Sequence, residues 1–128
     1  MAKTIHVKNA PDFELPYSHA IKVGDFVYIS GQVGVDPETL EVVGDTIEEQ
    51  TEQCIKNIET ILKQVNITLD HVIKINAYVA NSSDIPNYNN VYKKMFNAPY
   101  PARTTVPVEL EDYLIEIDCI AYCKAGRS

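Results

Sequence analysis

Leu114-Ile115-Glu116-Ile117-Asp118-Cys119-Ile120-Ala121 alternates with a period of two. Ile115, Ile117, Cys119 and Ala121 fall on one side of this segment, and Leu114, Glu116, Asp118, Ile120 and Tyr122 fall on the other. A period of two is that of a strand, here one with apolar residues on both faces. The segment before it, Pro101-Ala102-Arg103-Thr104-Thr105-Val106, is β-patterned as well and carries one arginine. With Glu109 to Asp112 read as a polar turn between them, Arg103 and Glu116 are expected on neighbouring strands. A guanidinium that does not deprotonate makes a bidentate clamp for a small carboxylate. A glutamate near it can handle a proton or a water.

Working back from these strands, Thr4 to Val7 reads as a short strand, followed by a loop with Pro11 and Pro16. Ser18–Val23 and Phe26–Ser30 form a hairpin about a Gly24-Asp25 turn. Residues 31–44 read as irregular, with Gly34, Pro37 and Gly44. Thr46-Ile47-Glu48-Glu49 has capping-box spacing. Ile47, Thr51, Cys54, Ile55, Ile58, Ile61, Leu62 and Val65 then recur at three- and four-residue steps, and Asn66 ends that helix. His71 to Ala80 alternates, with Ile73, Ile75, Ala77 and Val79 expected on one face. Ser83 or Asp84 caps a second helix with the stripe Ile85, Tyr88, Val91, Tyr92, Met95 and Phe96, which Asn97 to Pro101 breaks. The order is βββαβαββ in one domain, residues 1–128, of the mixed α/β (α+β) class, with both helices on one sheet face. The other face bears Leu, Ile and Tyr with no element left to cover it, which implies a homo-oligomer packing sheet faces together.

The chain is globular in composition, 45% hydrophobic and 23% charged. A formal charge of −7 disfavours nucleic acid and anionic membranes as partners. No apolar run is long enough to span a bilayer, and the start lacks an apolar signal region, so a cytoplasmic protein is expected. Cys54, Cys119 and Cys123 are odd in number and read as reduced thiols. His6, His19 and His71 are scattered, without a partner at metal-ligand spacing, and read as structural. No phosphate loop, nucleophile elbow or dinucleotide fingerprint is present.

Several short segments in order carry a resemblance: Leu15-Pro16-Tyr17-Ser18, Ile29-Ser30-Gly31-Gln32, Glu49-Gln50-Thr51 with Asn57-Ile58, Asn89 to Tyr92, Pro101-Ala102-Arg103, and Glu116 to Ala121. Together they resemble the RidA (YjgF) family of reactive intermediate deaminases along nearly the whole chain. The resemblance implies a chorismate-mutase-like, ferredoxin-like sheet assembled as a homotrimer with sheets packed inward and sites at the subunit clefts. It implies cofactor-free hydrolysis of 2-imino acids, such as 2-iminobutanoate and 2-iminopropanoate, to 2-keto acids and ammonia. Arg103 would then bind the substrate carboxylate and Glu116 would position the water, with Tyr17, Ser30, Gly31, Asn89 and Thr105 lining the pocket. This chain departs from the family in having Leu15 and Asn66 where glycine is usual, and Thr105 where some members carry cysteine. The Arg103–Glu116 spacing is also shorter by about two residues, a deletion placed in the Glu109–Asp112 turn that leaves each side chain on its face.

Each residue also has a plainer reading. Arg103 and Glu116 can be a surface ion pair. Tyr17 can anchor Pro16, Ser30-Gly31 can be a strand end, Asn89 an exposed helix residue and Thr105 sheet filler. For Glu116, burial raises the carboxyl pKa and a nearby arginine lowers it, and the residue pattern leaves the balance open. An endoribonuclease that inhibits translation, and a metabolite-binding or chaperone-like protein, are the competing functions. The acidic balance and the lack of a clustered histidine pair weigh against the first.

Overall fold

The computed structural model describes residues 2–123. Its strands are β1 (Lys3–Ile5), β2 (Ala20–Val23), β3 (Phe26–Val33), β4 (Val72–Val79), β5 (Ala102–Pro107) and β6 (Ile115–Tyr122); its helices are α1 (Ile47–Gln64) and α2 (Ile85–Met95). They form one six-stranded sheet in the order β1-β2-β3-β6-β4-β5. The two helices pack on one face, so the expected mixed architecture holds.

Local chemistry sets the ends of α1. Thr46 Oγ1 accepts the Glu49 N–H at 3.1 Å and donates to Glu49 Oε1 at 2.9 Å. Asn66 takes the left-handed conformation (φ 63°), and the Ile67 and Asn66 N–H groups return to the Leu62 and Lys63 carbonyls at 3.2 and 3.0 Å. This is a Schellman stop in which asparagine stands where glycine is commoner. The buried face of α1 includes Cys54, Ile55, Ile58, Ile61 and Leu62, which meet Ile75, Ile117 and Ala121 in the core. Gly24 supplies the positive φ (58°) of the two-residue β2–β3 turn.

Three polar residues of α1 fix what surrounds the sheet. Buried Asn57 donates to the Val33 and Val35 carbonyls at 3.1 and 3.0 Å, and Cys54 Sγ donates to Gln32 O at 3.0 Å. Gln50 donates to Gly44 O at 2.8 Å and accepts the Leu114 N–H at 2.9 Å, tying residues 34–44 to the approach of β6. Their burial is stable because each polar group is paired. All three cysteines are free thiols, as expected.

Three expectations are corrected. β3 continues through Ser30-Gly31 to Val33 rather than ending there, because those two residues form a bulge opposite Asp118, between the pairs Ile29–Cys119 and Gln32–Ile117. Ile73 is 44% exposed and Val72 is buried in its place, because a register shift between Val72 and Lys74 turns Ile73 outward. Finally, β5 and β6 are not neighbours: β5 pairs parallel with β4, and β4 separates it from β6. The connection after β5 therefore passes the end of β4, with Val108 N–H on Val79 O and Ala80 N–H on Leu114 O, both at 3.0 Å.

Candidate functional site

Arg103 and Glu116 lie on opposite faces, because their partners on β4, Ile75 and Tyr78, are three residues apart. Arg103 sits beside Ile75 in the register, and Ile75 pairs with Cys119 on the helix-covered face. Glu116 pairs with Tyr78 and Val33 and projects with Asp118, Ile120 and Tyr122 from the open face. Within one chain the seven residues singled out from the sequence separate into two walls.

The first wall is built by β5 and α2. The Arg103 guanidinium lies over the rings of Tyr92 and Tyr88, 4.9 and 5.4 Å from their centroids. Cation–π attraction of this kind holds a planar cation flat while leaving its N–H fork free. Burial pushes the Tyr88 hydroxyl pKa well above its ordinary value, with Arg103 opposing. Arg103, Asn89, Tyr92, Lys93, Tyr100 and Pro101 line a cavity of about 320 Å³. Asn89 Oδ1 is buried without a hydrogen-bond partner. Thr105 lies two positions along the same strand face, opposite Ala77; its Oγ1 also has no partner, and it does not line this cavity.

The second wall is built by β3, β6 and the loop before β2. Tyr17, Ser30, Gly31 and Glu116 line a cavity of about 460 Å³, with Phe13 and Leu15 from the loop and Glu111 and Tyr113 from the β5–β6 connection. A Cβ on Gly31 would run into the Glu116 carboxylate, the free end of that side chain, so glycine here leaves the carboxylate the space it occupies, and a methyl would displace it. Glu116 is half-buried, and burial raises its carboxyl pKa, helped by the negative charge of Asp118. The balance left open by the sequence thus goes to burial, because Arg103 is on the other face. Asp118 is itself held by Asn76 Nδ2 at 2.8 Å and the Tyr78 hydroxyl at 3.2 Å.

His19 organises this wall, a role the sequence did not suggest. Its Nδ1 accepts the Val7 N–H at 2.9 Å and its Nε2 donates to Pro11 O at 2.8 Å, so the ring is the Nε2–H tautomer. The Tyr17 hydroxyl donates to the same Pro11 carbonyl at 3.4 Å. The His19 carbonyl accepts the Ser30 N–H at 3.1 Å, and Ser30 Oγ donates to Ser18 O at 2.6 Å. His19 thereby ties the loop that carries Tyr17, through its ring, to the bulge that carries Ser30, through its backbone carbonyl. A histidine beside a strand start, followed by a Gly-containing strand, is too common a pattern to announce this.

The seat of Arg103 is likewise not announced by the sequence. Tyr88 and Tyr92 were assigned to a core stripe, and both are buried, but they also seat Arg103. Tyrosine rather than leucine at positions four apart was the available signal. Among the described residues no cluster of His, Cys, Asp and Glu could hold a metal ion, and no helix is long and apolar enough to cross a membrane.

Comparison with known proteins places this geometry. The model of the family described as endoribonuclease L-PSP matches residues 7–123. A RutC family protein of Pyrococcus abyssi is 42% identical over 125 residues, covering 95% of this chain and 98% of the relative. A protein of Dermatophagoides farinae named 2-iminobutanoate/2-iminopropanoate deaminase is 38% identical over 93 residues, 73% of each chain. The crystal structure of RidA from the Antarctic bacterium Psychrobacter sp. PAMC 21119 superposes with a TM-score of 0.89 at 39% identity, covering 94% of this chain and 98% of that one. With the model match spanning nearly all of the described residues, the chain belongs to the endoribonuclease L-PSP family, the RidA/YjgF family of its sequence resemblance.

Proposed function

We propose that the protein hydrolyses small 2-imino acids to 2-keto acids and ammonia, in a site made from the Arg103 wall of one copy and the Glu116 wall of another. The observation that carries this reading is the division of the two groups between opposite faces, each in its own cavity. A clamp and a base acting on one small molecule must then come from two chains. The half-exposed aromatic surface of the open face, with Tyr28 at 44% and Phe26 at 38%, supports self-association through that face. The deaminase name of the D. farinae relative supports the chemistry.

In this mechanism Arg103, held on its tyrosine seat, grips the substrate carboxylate through two parallel hydrogen bonds. Asn89 Oδ1 accepts the iminium N–H. Glu116 takes a proton from a water as its oxygen bonds to the C=N carbon, and the π pair moves to nitrogen. Glu116 passes that proton to the carbinolamine nitrogen, the C–N bond breaks as ammonia leaves, and the carboxylate takes the hydroxyl proton as the ketone forms and yields it to the ammonia, which departs as ammonium. Imines hydrolyse readily in water, so positioning plus one general base, roughly 10²–10⁴-fold, is enough acceleration. The endoribonuclease named in the family description is the weaker reading for this chain, because a charge of −7 opposes binding of a phosphate backbone.

The test generates the imine in situ with an amino-acid oxidase and traps it with semicarbazide. Added protein diverts imine from the trap; Arg103→Lys raises KM about tenfold or more by losing the planar fork, and Glu116→Gln lowers kcat by roughly 10²–10⁴-fold. Equal trapping with and without wild-type protein ends the reading.

A further inference from the structure

The wall that carries Arg103 carries a second cation. Lys93 follows Tyr92 and stands one helical turn after Asn89 on α2, and it lines the same cavity as Arg103. No carboxylate lines that cavity, although the chain has 18 acids against 11 lysines and arginines. Among the described residues the ion pairs are His6–Asp12 and Lys56–Glu52, so neither cavity cation is paired with an acid of those residues. The remaining walls are the rings of Tyr92 and Tyr100 and Pro101. Both side chains are exposed, and each presents an unpaired positive charge to an anion entering the cavity.

A monocarboxylate answers only one of them. Its two oxygens match the fork of Arg103 and leave the point charge of Lys93 unanswered. The flexible four-carbon stem of Lys93 suits a second acidic group whose position varies with chain length, whereas the tyrosine-seated guanidinium suits the fixed α-carboxylate. The cavity on this wall, about 320 Å³, lies at the small end of ligand pockets and suits a four- or five-carbon diacid.

Resting on the deaminase reading, we infer that this site prefers 2-imino acids bearing a second carboxylate, the imines of acidic amino acids, with Lys93 as the residue that sets the preference. Arg103 takes the α-carboxylate and Lys93 takes the distal one. The rival role for Lys93 is structural: in an assembly it would pair with Glu111, which lines the opposite wall beside Glu116.

The experiment compares kcat/KM for imines generated in situ from aspartate and glutamate with those from alanine and 2-aminobutanoate, using the full chain and the semicarbazide trap. Wild-type protein is expected to favour the dianionic imines by about tenfold or more, the scale of one charge-assisted hydrogen bond. Lys93→Met collapses that ratio by a similar factor, Lys93→Arg keeps it, and Lys93→Glu inverts it. Turnover of the alanine imine without a dianion preference, or a ratio that Lys93→Met leaves unmoved, overturns the inference alone. So does a Lys93→Met protein whose sedimentation shows looser assembly with the ratio intact, since that marks Lys93 as an interface residue. Wild-type protein that accelerates none of the imines ends the deaminase reading and this inference together.

Discussion

The two walls place their charges by opposite means. Arg103 is an exposed side chain on the last strand of the sheet, steadied from beneath by the Tyr88 and Tyr92 rings, so its cation is placed by stacking. Glu116 lies inside the sheet, half-buried against a bulged glycine, so its carboxylate is placed by exclusion of space. The contrast follows from the chemistry of the groups. A delocalised guanidinium sheds water at little cost and stacks well, whereas a carboxylate responds to burial by raising its pKa. One wall holds a cation against two rings, and the other holds a carboxyl whose proton affinity burial raises.

The sharpest way to break this picture is complementation. If each site joins the Arg103 wall of one chain to the Glu116 wall of another, co-expressed Arg103→Ala and Glu116→Gln chains regain sites with both groups intact. Random assembly restores about a quarter of wild-type turnover, because each intact wall is present with a chance of about one half. Turnover no higher than the sum of the separate variants would place both groups in one chain's site and remove the two-wall model.

A smaller effect probes exclusion on the glutamate side. Gly31→Ala places a methyl against the Glu116 carboxylate and displaces it. A shift of about 1 Å in a catalytic group costs on the order of 10²-fold in kcat, with little change in KM because Arg103 is untouched. A KM effect without a kcat effect would show that Gly31 belongs to binding rather than to placement of the base.

The smallest effect concerns protonation. Glu116 is raised above the ordinary 4.5 by burial first and Asp118 second. As a base it must be ionised, so burial and Asp118 push the acid limb of kcat/KM up while the guanidinium of the facing copy pulls it down, and Asp118→Asn moves the limb to lower pH. The linkage sign is the reverse for stability. A carboxyl with a raised folded pKa favours the folded state while protonated and loses that contribution as pH rises through the folded value. Glu116→Gln is therefore expected to raise Tm at neutral pH relative to wild type, with the gain vanishing in acid. An acid limb that Asp118→Asn leaves in place would show that burial alone sets the carboxyl.

Legibility in the sequence differed between these walls. The ends of α1 were readable, because Thr46 and Asn66 act through hydrogen bonds within a few residues, whereas α2 starts after Asp84 without the side-chain cap expected from Ser83 or Asp84. The family words Gln50 and Asn57 were visible as words, but their work, clamping residues 34–44 and the approach to β6, depends on partners up to 64 residues away. The bulge at Ser30-Gly31 was read as a strand end, since a glycine in a strand announces irregularity without saying of which kind. The Glu116 face was inferred correctly from its period. Its separation from Arg103 was not, because alternation reports a side chain's face and never its neighbouring strand.

By itself the sequence determined the element order, most of the apolar faces and the acidic balance, because periodicity, capping and composition are local properties of a chain. Only the tertiary structure decided that β4 lies between β5 and β6, that Arg103 rests on two tyrosines, and that His19 ties the Tyr17 loop to the bulge. Those arrangements come from strand pairing and packing between residues far apart in sequence, where the free energy of the whole sheet, and not of any segment, selects the partner.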